Sequence, residues 1–368
     1  MSDSNKDKFF KNYNQGIPQI IKKEFIADIE TPISSLIKIS ENEEYSFLLE
    51  SVEGGDQRGR YSILGCDPDI IWEVNKNKAK VTSLNQDLDL SFLSEDPIKS
   101  LKQLVDFSKI NKESNSSPFP VLVGYLGYPM IQLMEKINLN NPDEINIPDA
   151  LMIRPKLVAV FDNIKDTINI QTSIYPDKKI TAELAFSKAN DYINITIKKL
   201  NRDIPKKSLF KKNKKLTLDF KSNYTKKEYF NIVDKAKDYI IKGDIFQVVP
   251  SQRLKTDYNL SAQTLYRSLR RLNPSPFLVN LNFNNFGLVA SSPEILVRLR
   301  ENNITIRPIA GTRKRGKTIN EDIKLSKDLL NDEKEIAEHL MLLDLGRNDV
   351  GKVAKIGSVK VTEKMIIE

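Results

Sequence analysis

The stretch from Phe277 to Ile309 limits the possible folds more than any other part of the chain. Four apolar segments follow one another there: Phe277–Phe283, Phe286–Ala290, Ile295–Arg300 and Ile304–Ile309. They are separated by the turn pairs Asn284-Asn285 and Asn302-Asn303 and by the corner Ser291-Ser292-Pro293-Glu294. Connections this short join antiparallel neighbours, because a parallel pair needs a long crossover, usually a helix. Helices are expected on either side. Thr225 with Glu228 forms a capping box, Phe230, Val233, Ala236, Ile240 and Ile241 follow at helical spacing, and Gly243 ends the run. Ile245–Leu254 reads as a strand, Ser261 caps a short helix stopped by Asn273-Pro274, and one long helix is predicted from about Glu321 to Leu345. Sequential hairpins with flanking helices predict an α+β fold of antiparallel β-sheets packed with helices.

The amino-terminal part carries the same kinds of signal. Glu44–Ser51, Val121–Leu126 and Lys156–Phe161 read as strands, Gly54-Gly55 as a turn, and residues 184–200 as a helix. Asp96-Pro97 places an N-cap before a proline at the first helical position, and Leu101, Leu104 and Val105 continue the helical pattern. Between the two parts lies a basic stretch. Residues 198–227 hold twelve Lys or Arg against Asp203 and Asp219, so they contribute +10 and leave −2 to the rest of a chain whose net charge is +8. The stretch has no interleaved aromatic platform for bases, and it reads as a solvated linker rather than a nucleic-acid arm. The expected organisation is an N-terminal region over residues 1–200, a basic linker over 201–220 and a second region over 221–368.

Scarce residues exclude several chemistries. Cys66 is the only cysteine and His339 the only histidine, so a disulfide framework, a Cys-rich zinc module and a multi-histidine metal site are all ruled out. The N-terminus lacks the apolar core of a signal peptide, and no apolar run approaches membrane-spanning length. A soluble, cytoplasmic protein with no nucleic-acid and no membrane partner is expected.

Two motifs compete for the functional centre. Gly311 to Thr318 fits the phosphate-loop pattern G-x-x-x-x-G-K-T at every position. Its context argues against nucleotide binding: the preceding strand contains Arg307 and Pro308, the following residues are Ile-Asn-Glu-Asp, and the hairpins are not a parallel sheet. The second motif lies on the helix near 321–345, where Glu335 and Glu338 share a face and His339 sits one turn beyond Glu335. Such a face is either solvated charge or a pair of hard oxygen ligands suited to Mg²⁺.

These motifs jointly resemble the anthranilate synthase component I family of the chorismate-utilising enzymes. The resemblance runs from Ala27-Asp-Ile-Glu-Thr-Pro32 to the last residue. It rests on Leu48-Leu-Glu-Ser51, Gly59-Arg-Tyr-Ser62, Gly243-Asp-Ile-Phe-Gln-Val-Val249, Asn273-Pro-Ser-Pro276, Ser292-Pro-Glu294, Pro308-Ile-Ala-Gly-Thr312, Glu338-His-Leu-Met341 and Asp344-Leu-Gly-Arg-Asn-Asp349. It implies the chorismate-utilising fold, and conversion of chorismate and ammonia to anthranilate and pyruvate in tryptophan biosynthesis, with Mg²⁺. It further implies that Glu338 ligates the metal, with Glu335 acting through water, and that Gly311 and Thr312 touch substrate. Glu294 falls on the general acid for the departing hydroxyl.

Gln247 stands where water-adding relatives, the isochorismate synthases, carry a lysine base. Ala310 stands where aminodeoxychorismate synthase component I carries a nucleophilic lysine. Gln247 favours the aminating enzyme over isochorismate synthase and Ala310 favours it over aminodeoxychorismate synthase component I, while the context of Gly311 to Thr318 disfavours a nucleotide hydrolase. Ser51, Pro276, Phe277 and Leu278 fall on a feedback site for L-tryptophan, with Phe277-Leu278 replacing the family's usual Tyr-Met. Ammonia is expected from a glutamine amidotransferase subunit, component II, or in free form. Family members continue past the position of Glu368 and supply there a catalytic histidine, a tyrosine, an arginine and a second metal-binding glutamate. Residues 221–368 are therefore expected to be an incomplete catalytic region, and His339 is not the family's catalytic histidine.

Overall fold

Short polar side chains start the helices. Thr31, Asp96, Thr181, Thr225 and Ser261 each accept a hydrogen bond from a backbone N–H of the first turn that follows. A computed structural model describes residues 3–41, 43–53, 57–84, 88–110, 119–139, 141–205 and 218–367. Helix α1 (Asp3–Asn14) precedes strand β1 (Gln19–Ile26). Helix α2 (Pro32–Ile39) leads into β2 (Tyr45–Glu50), the hairpin β3 (Val52–Glu53) and β4 (Gln57–Arg58), then β5 (Tyr61–Asn75) and β6 (Lys78–Ser83). Next come α3 (Pro97–Phe107), β7 (Val123–Leu126), β8 (Ala150–Asp162), β9 (Thr167–Ile174) and α4 (Ala182–Leu200). The second part holds β10 (Lys221–Ser222), α5 (Lys226–Ile241), β11 (Leu254–Lys255), α6 (Ala262–Leu272), β12 (Phe277–Phe283) and β13 (Phe286–Ser292). It continues with β14 (Arg298–Arg300), β15 (Asn303–Thr305), α7 (Ile319–Asn331) and α8 (Glu333–Gly351).

Among the described residues the main sheet runs β1-β9-β8-β5-β2-β12-β13, with β6 added to β5 and β7 to β8. Every pairing is antiparallel. Strand β12 pairs with β2 from Leu278↔Glu50 to Phe283↔Tyr45. Strands on both sides of residues 201–220 therefore share one sheet. One face packs Leu48, Leu64, Leu157 and Ile170 against Ala185, Ala189 and Ile193 of α4. The other packs Ile70, Trp72 and Ala150 against Leu104 of α3, and the Trp72 indole N–H donates to Ser100 Oγ at 3.1 Å. Arg154, buried in β8, is held by a two-bond fork to Asp69 with both distances 2.7 Å.

The antiparallel α+β prediction holds, with local corrections. Ile245–Leu254 is not a strand: only Leu254–Lys255 pairs, with Lys221–Ser222, and Phe246 and Val249 stand exposed. Apolar content favours a strand only where a neighbour offers its edge, and residues 245–253 have no ladder partner among the described residues. The segments Ile295–Arg300 and Ile304–Ile309 pair only over Arg298–Arg300 and Asn303–Thr305, around a turn at Glu301 and Asn302, both at positive φ. The single helix expected from Glu321 to Leu345 is two, broken at Asp332, which adopts an extended backbone and caps α8. Helix α5 forms from its capping box as predicted, yet buries none of its apolar side chains. The Gly54-Gly55 turn and the lysine pairs at 206–207, 211–212 and 214–215 lie outside the described residues.

Candidate active site and effector site

Helix α8 carries the acidic face. Glu335 and Glu338 are both half-buried on its first turns, with His339 next in sequence. Across from them, the loop before α7 brings Gly311 so close that a Cβ there would lie 2.4 Å from Glu335 Oε2. Only a residue without a side chain admits this approach without displacing the carboxylate. Gln247 Nε2 reaches Glu338 Oε1 at 3.5 Å, which brings the end of the α5 connection onto the same face. Glu294 follows β13 and accepts a hydrogen bond on Oε1 from the Ile309 N–H at 3.1 Å. Glu294 thus meets the loop that leads, through Ala310, to Gly311 and Thr312. The candidate residues 247, 294, 311, 312, 335 and 338 form one connected constellation.

Arg313, which the sequence marks only as one position of the phosphate-loop pattern, ties this constellation together. Its Nε and Nη2 donate to Asp328 Oδ2 and Asp332 Oδ2, both at 2.7 Å, while Nη1 donates to the Thr312 carbonyl at 3.2 Å and lies 3.6 Å from Glu335 Oε1. Hydrogen bonds to the two aspartates push the guanidinium pKa up, and the same Arg313 bond holds the Asp332 carboxyl below its ordinary range. Asp332 also accepts from the N–H groups of Lys334 and Glu335. The break between α7 and α8 is therefore fixed by an arginine nineteen residues upstream.

The phosphate-loop look-alike is filled by the protein itself. The Gly316 N–H donates to Asp322 Oδ1 at 2.6 Å and the Lys317 N–H to Glu321 Oε2 at 2.7 Å. Arg315 pairs with Asp322, whose carboxyl is held low chiefly by the Gly316 bond. The N–H groups that would cradle a phosphate already serve carboxylates, and the polar residues after Thr318 are the ones that occupy them. Cys66 is no nucleophile either: it is buried, and burial pushes its thiol up.

The candidate effector residues meet at the join of β2 and β12. Ser51 follows Glu50, whose ladder partner Leu278 follows Phe277. The Val52 N–H donates to the Ser275 carbonyl at 3.0 Å, drawing Pro276 to the same edge. A Cβ on Gly59 would lie 2.6 Å from Ser51 Cβ, so a glycine is needed for the 58–60 strand end to close over Ser51. Beneath them Glu50, buried in β2, accepts from Tyr266 Oη at 2.6 Å and from Arg270 Nη2 at 2.9 Å. Both partners lie on α6, an anchoring the sequence did not reveal.

Among the described residues no three His, Cys, Asp or Glu side chains converge to hold a metal ion. Glu338 with Glu335 one turn away offers one or two carboxylates, a donor set that fits a cation keeping most of its water, as Mg²⁺ does. No helix of the described residues is long and apolar enough to cross a membrane.

The profile of the chorismate binding enzyme family matches residues 46–368. Anthranilate synthase component 1 from Cereibacter sphaeroides is 44% identical over 365 residues, 98% of this chain and 73% of that protein. The chain belongs to the anthranilate synthase component I family of chorismate-binding enzymes. Its counterpart from Aquifex aeolicus is 40% identical over 366 residues, 98% of this chain and 72% of that protein. The crystal structure of anthranilate synthase component I from Streptococcus pneumoniae superposes with a TM-score of 0.68 at 31% identity, covering 84% of this chain and 66% of that one. A menaquinone-specific isochorismate synthase from Escherichia coli shares the fold, with a TM-score of 0.56 at 14% identity over 95% of this chain and 68% of its own. The chain thus spans about two-thirds of the superposed Streptococcus chain and nearly three-quarters of the curated relatives.

Proposed function

We propose that the chain binds chorismate over the acidic face of α8 and belongs to an enzyme that aminates it, releasing anthranilate, pyruvate and water in tryptophan biosynthesis. The observation that carries this reading is the pairing of Gln247 with Glu338 at 3.5 Å, beside a loop in which Ala310 precedes Gly311. An amide at 247 offers no base to activate water, and an alanine at 310 offers no amine to attack the ring. Ammonia, already a nucleophile, needs neither.

The remaining roles follow from placement. Backbone N–H groups of the Gly311–Thr312 loop suit a substrate carboxylate. Glu294 keeps Oε1 on the Ile309 N–H, so Oε2 is the oxygen that delivers a proton to the departing hydroxyl, which leaves as water. Nitrogen enters the ring and the enolpyruvyl group leaves as pyruvate, so atoms balance without an oxidant. Glu338, with Glu335 behind it, would hold Mg²⁺. The ion would neutralise and orient a substrate carboxylate.

The same reading includes three further elements: an amidotransferase component II as ammonia donor, inhibition by L-tryptophan bound near Ser51, Pro276, Phe277 and Leu278, and a cytoplasmic setting. The test is to incubate the full chain with chorismate, Mg²⁺ and ammonium and follow anthranilate fluorescence, with chorismate binding measured by calorimetry in parallel. Glu338→Gln is expected to abolish Mg²⁺-dependent chorismate binding. Unchanged binding in that variant removes Glu338 from the metal role, and a wild-type chain that binds no chorismate refutes the reading.

A further inference from the structure

Arg313 has more carboxylate partners than a loop residue needs for solubility. Its guanidinium edge meets Asp328 at the end of α7, Asp332 at the cap of α8, Glu335 on the first turn of α8 and the carbonyl of Thr312. Three of these belong to the helical junction and one to the loop that carries Gly311 and Thr312. The side chain is one-quarter exposed, so the cluster is not sealed from water, and its stabilising value as isolated surface pairs would be small. Its value lies in geometry: a planar fork can hold several acceptors at fixed angles, as an ammonium cannot. Glu335 is held from two sides, with Oε1 toward Arg313 and Oε2 against Gly311. A divalent cation approaching Glu335 would meet the guanidinium charge, whereas Glu338 accepts from the neutral Gln247 amide.

We propose that Arg313 is the positioning residue of the substrate loop: it fixes Gly311 and Thr312 over the first turn of α8 and commits Glu335 to that loop, leaving Glu338 to take the divalent cation. The substrate half of this inference rests on the chorismate reading above. The cation half does not.

The experiment compares full-length wild type, Arg313→Ala and Arg313→Lys, each first checked for native helix content by circular dichroism. Bound Mn²⁺ is counted by electron paramagnetic resonance without chorismate, and KM and kcat for chorismate are measured with saturating Mg²⁺ and ammonium. R313A is expected to raise KM about tenfold or more while kcat falls less than about threefold, because the loop is displaced rather than the acid removed. R313A should also bind additional Mn²⁺, since Asp328, Asp332 and Glu335 lose the cation they share. R313K should keep wild-type Mn²⁺ binding and still show raised KM, because it retains the charge and loses the fork.

Wild-type KM in R313A, full recovery of KM in R313K, or Mn²⁺ binding identical in wild type and R313A would each overturn the proposal. If R313A fails to fold, Asp328→Asn removes one acceptor and is expected to raise KM about threefold, and an unchanged KM counts against the proposal. A wild type that neither binds nor turns over chorismate refutes the proposed function. The Mn²⁺ comparison then decides Arg313 alone: extra ions in R313A but not in R313K support it, and equal binding overturns it.

Discussion

Gly311→Ala separates folding from function at this site. The new Cβ would lie 2.4 Å from Glu335 Oε2, 2.9 Å from Leu329 Cδ1 and 3.0 Å from Glu335 Cδ. Cβ atoms do not sit inside 3.0 Å of a heavy atom, so the carboxylate must retreat by about 0.6 Å or rotate away. The two closest obstructing atoms are ends of flexible side chains rather than backbone, so the cost to folding is that of a displaced rotamer, about 0.5–1.5 kcal/mol. The cost to the site is larger. Glu335 loses its seat between Gly311 and Arg313, and a misplacement of this size lowers kcat/KM by about tenfold to a hundredfold. The assay pairs urea unfolding with anthranilate formation, and adds Glu335→Ala as a background. With Glu335 truncated the closest obstruction disappears and only the Leu329 Cδ1 contact at 2.9 Å remains, so the alanine at 311 should cost much less in kcat/KM than it does in the wild type, a coupling that a double-mutant cycle reads directly. Equal penalties from G311A with and without Glu335, or a loss of activity matched by an equal loss of stability, would refute the reasoning.

Three other outcomes follow from the same geometry. Tyr266→Phe removes the 2.6 Å bond to the buried Glu50 carboxylate and should lower stability by about 1.5–3 kcal/mol in urea unfolding, the range for a hydrogen bond to a charged group. Glu294→Gln should leave chorismate binding by calorimetry unchanged and slow anthranilate formation by about 10²–10⁴-fold, since the amide keeps the Ile309 bond but has no proton to give. Asp322 and Asp332 both have carboxyls held below their ordinary range, so the unfolded chain takes up protons first as pH falls. Their contribution is complete above about pH 4 and is lost as pH drops through the depressed values, so pepsin should cut within residues 311–335 before it cuts the main sheet.

What could be read from the sequence was local. The capping box at Thr225 and Glu228, the Asp96-Pro97 start, the Ser261 cap and the Asn284 turn all depend on neighbours a few residues away, and the structure has them where the pattern put them. The break at Asp332 was not legible, because an aspartate within an apolar-periodic run becomes a cap only when Arg313 holds its second oxygen. The strand expected at Ile245–Leu254 failed for the complementary reason: alternation and apolarity state what a strand would bury, not whether a partner edge is present. Likewise no pattern in Phe277–Phe283 identifies β2 as its neighbour across more than two hundred residues. At the site, Glu335 and Glu338 were visible as one helical face from spacing alone. Their link to Gly311, Gln247 and Glu294 came from the family motifs, since spacing carries no information about which loop closes over a helix.

The β12–β13 hairpin explains how the residues proposed for the effector site and Glu294, proposed as the general acid, come to be neighbours although they belong to separate motifs. Phe277, the first residue of β12, pairs with Ser292, the last of β13. Ser292 Oγ accepts from the Glu294 N–H at 3.3 Å and donates to the Glu294 carbonyl at 3.1 Å, so the paired residue directly shapes the corner that bears the acid. Ser291, opposite Leu278, donates from its hydroxyl to the Asn273 carbonyl, which ties the same corner to the loop containing Pro276. On the other side of β12, Leu278 pairs with Glu50, and Glu50 is clamped by Tyr266 and Arg270 from α6. The start of β12 is thus held between a clamped strand and the strand end that carries Glu294. Because strand register moves in whole residues, a ligand near Ser51 and Phe277 cannot slide this ladder by degrees. The first pair, Phe277↔Ser292, is two residues from Glu294. The β2–β12 join and the corner that bears Glu294 are therefore linked through one strand pair, and that link exists because strands from both parts of the chain form one sheet.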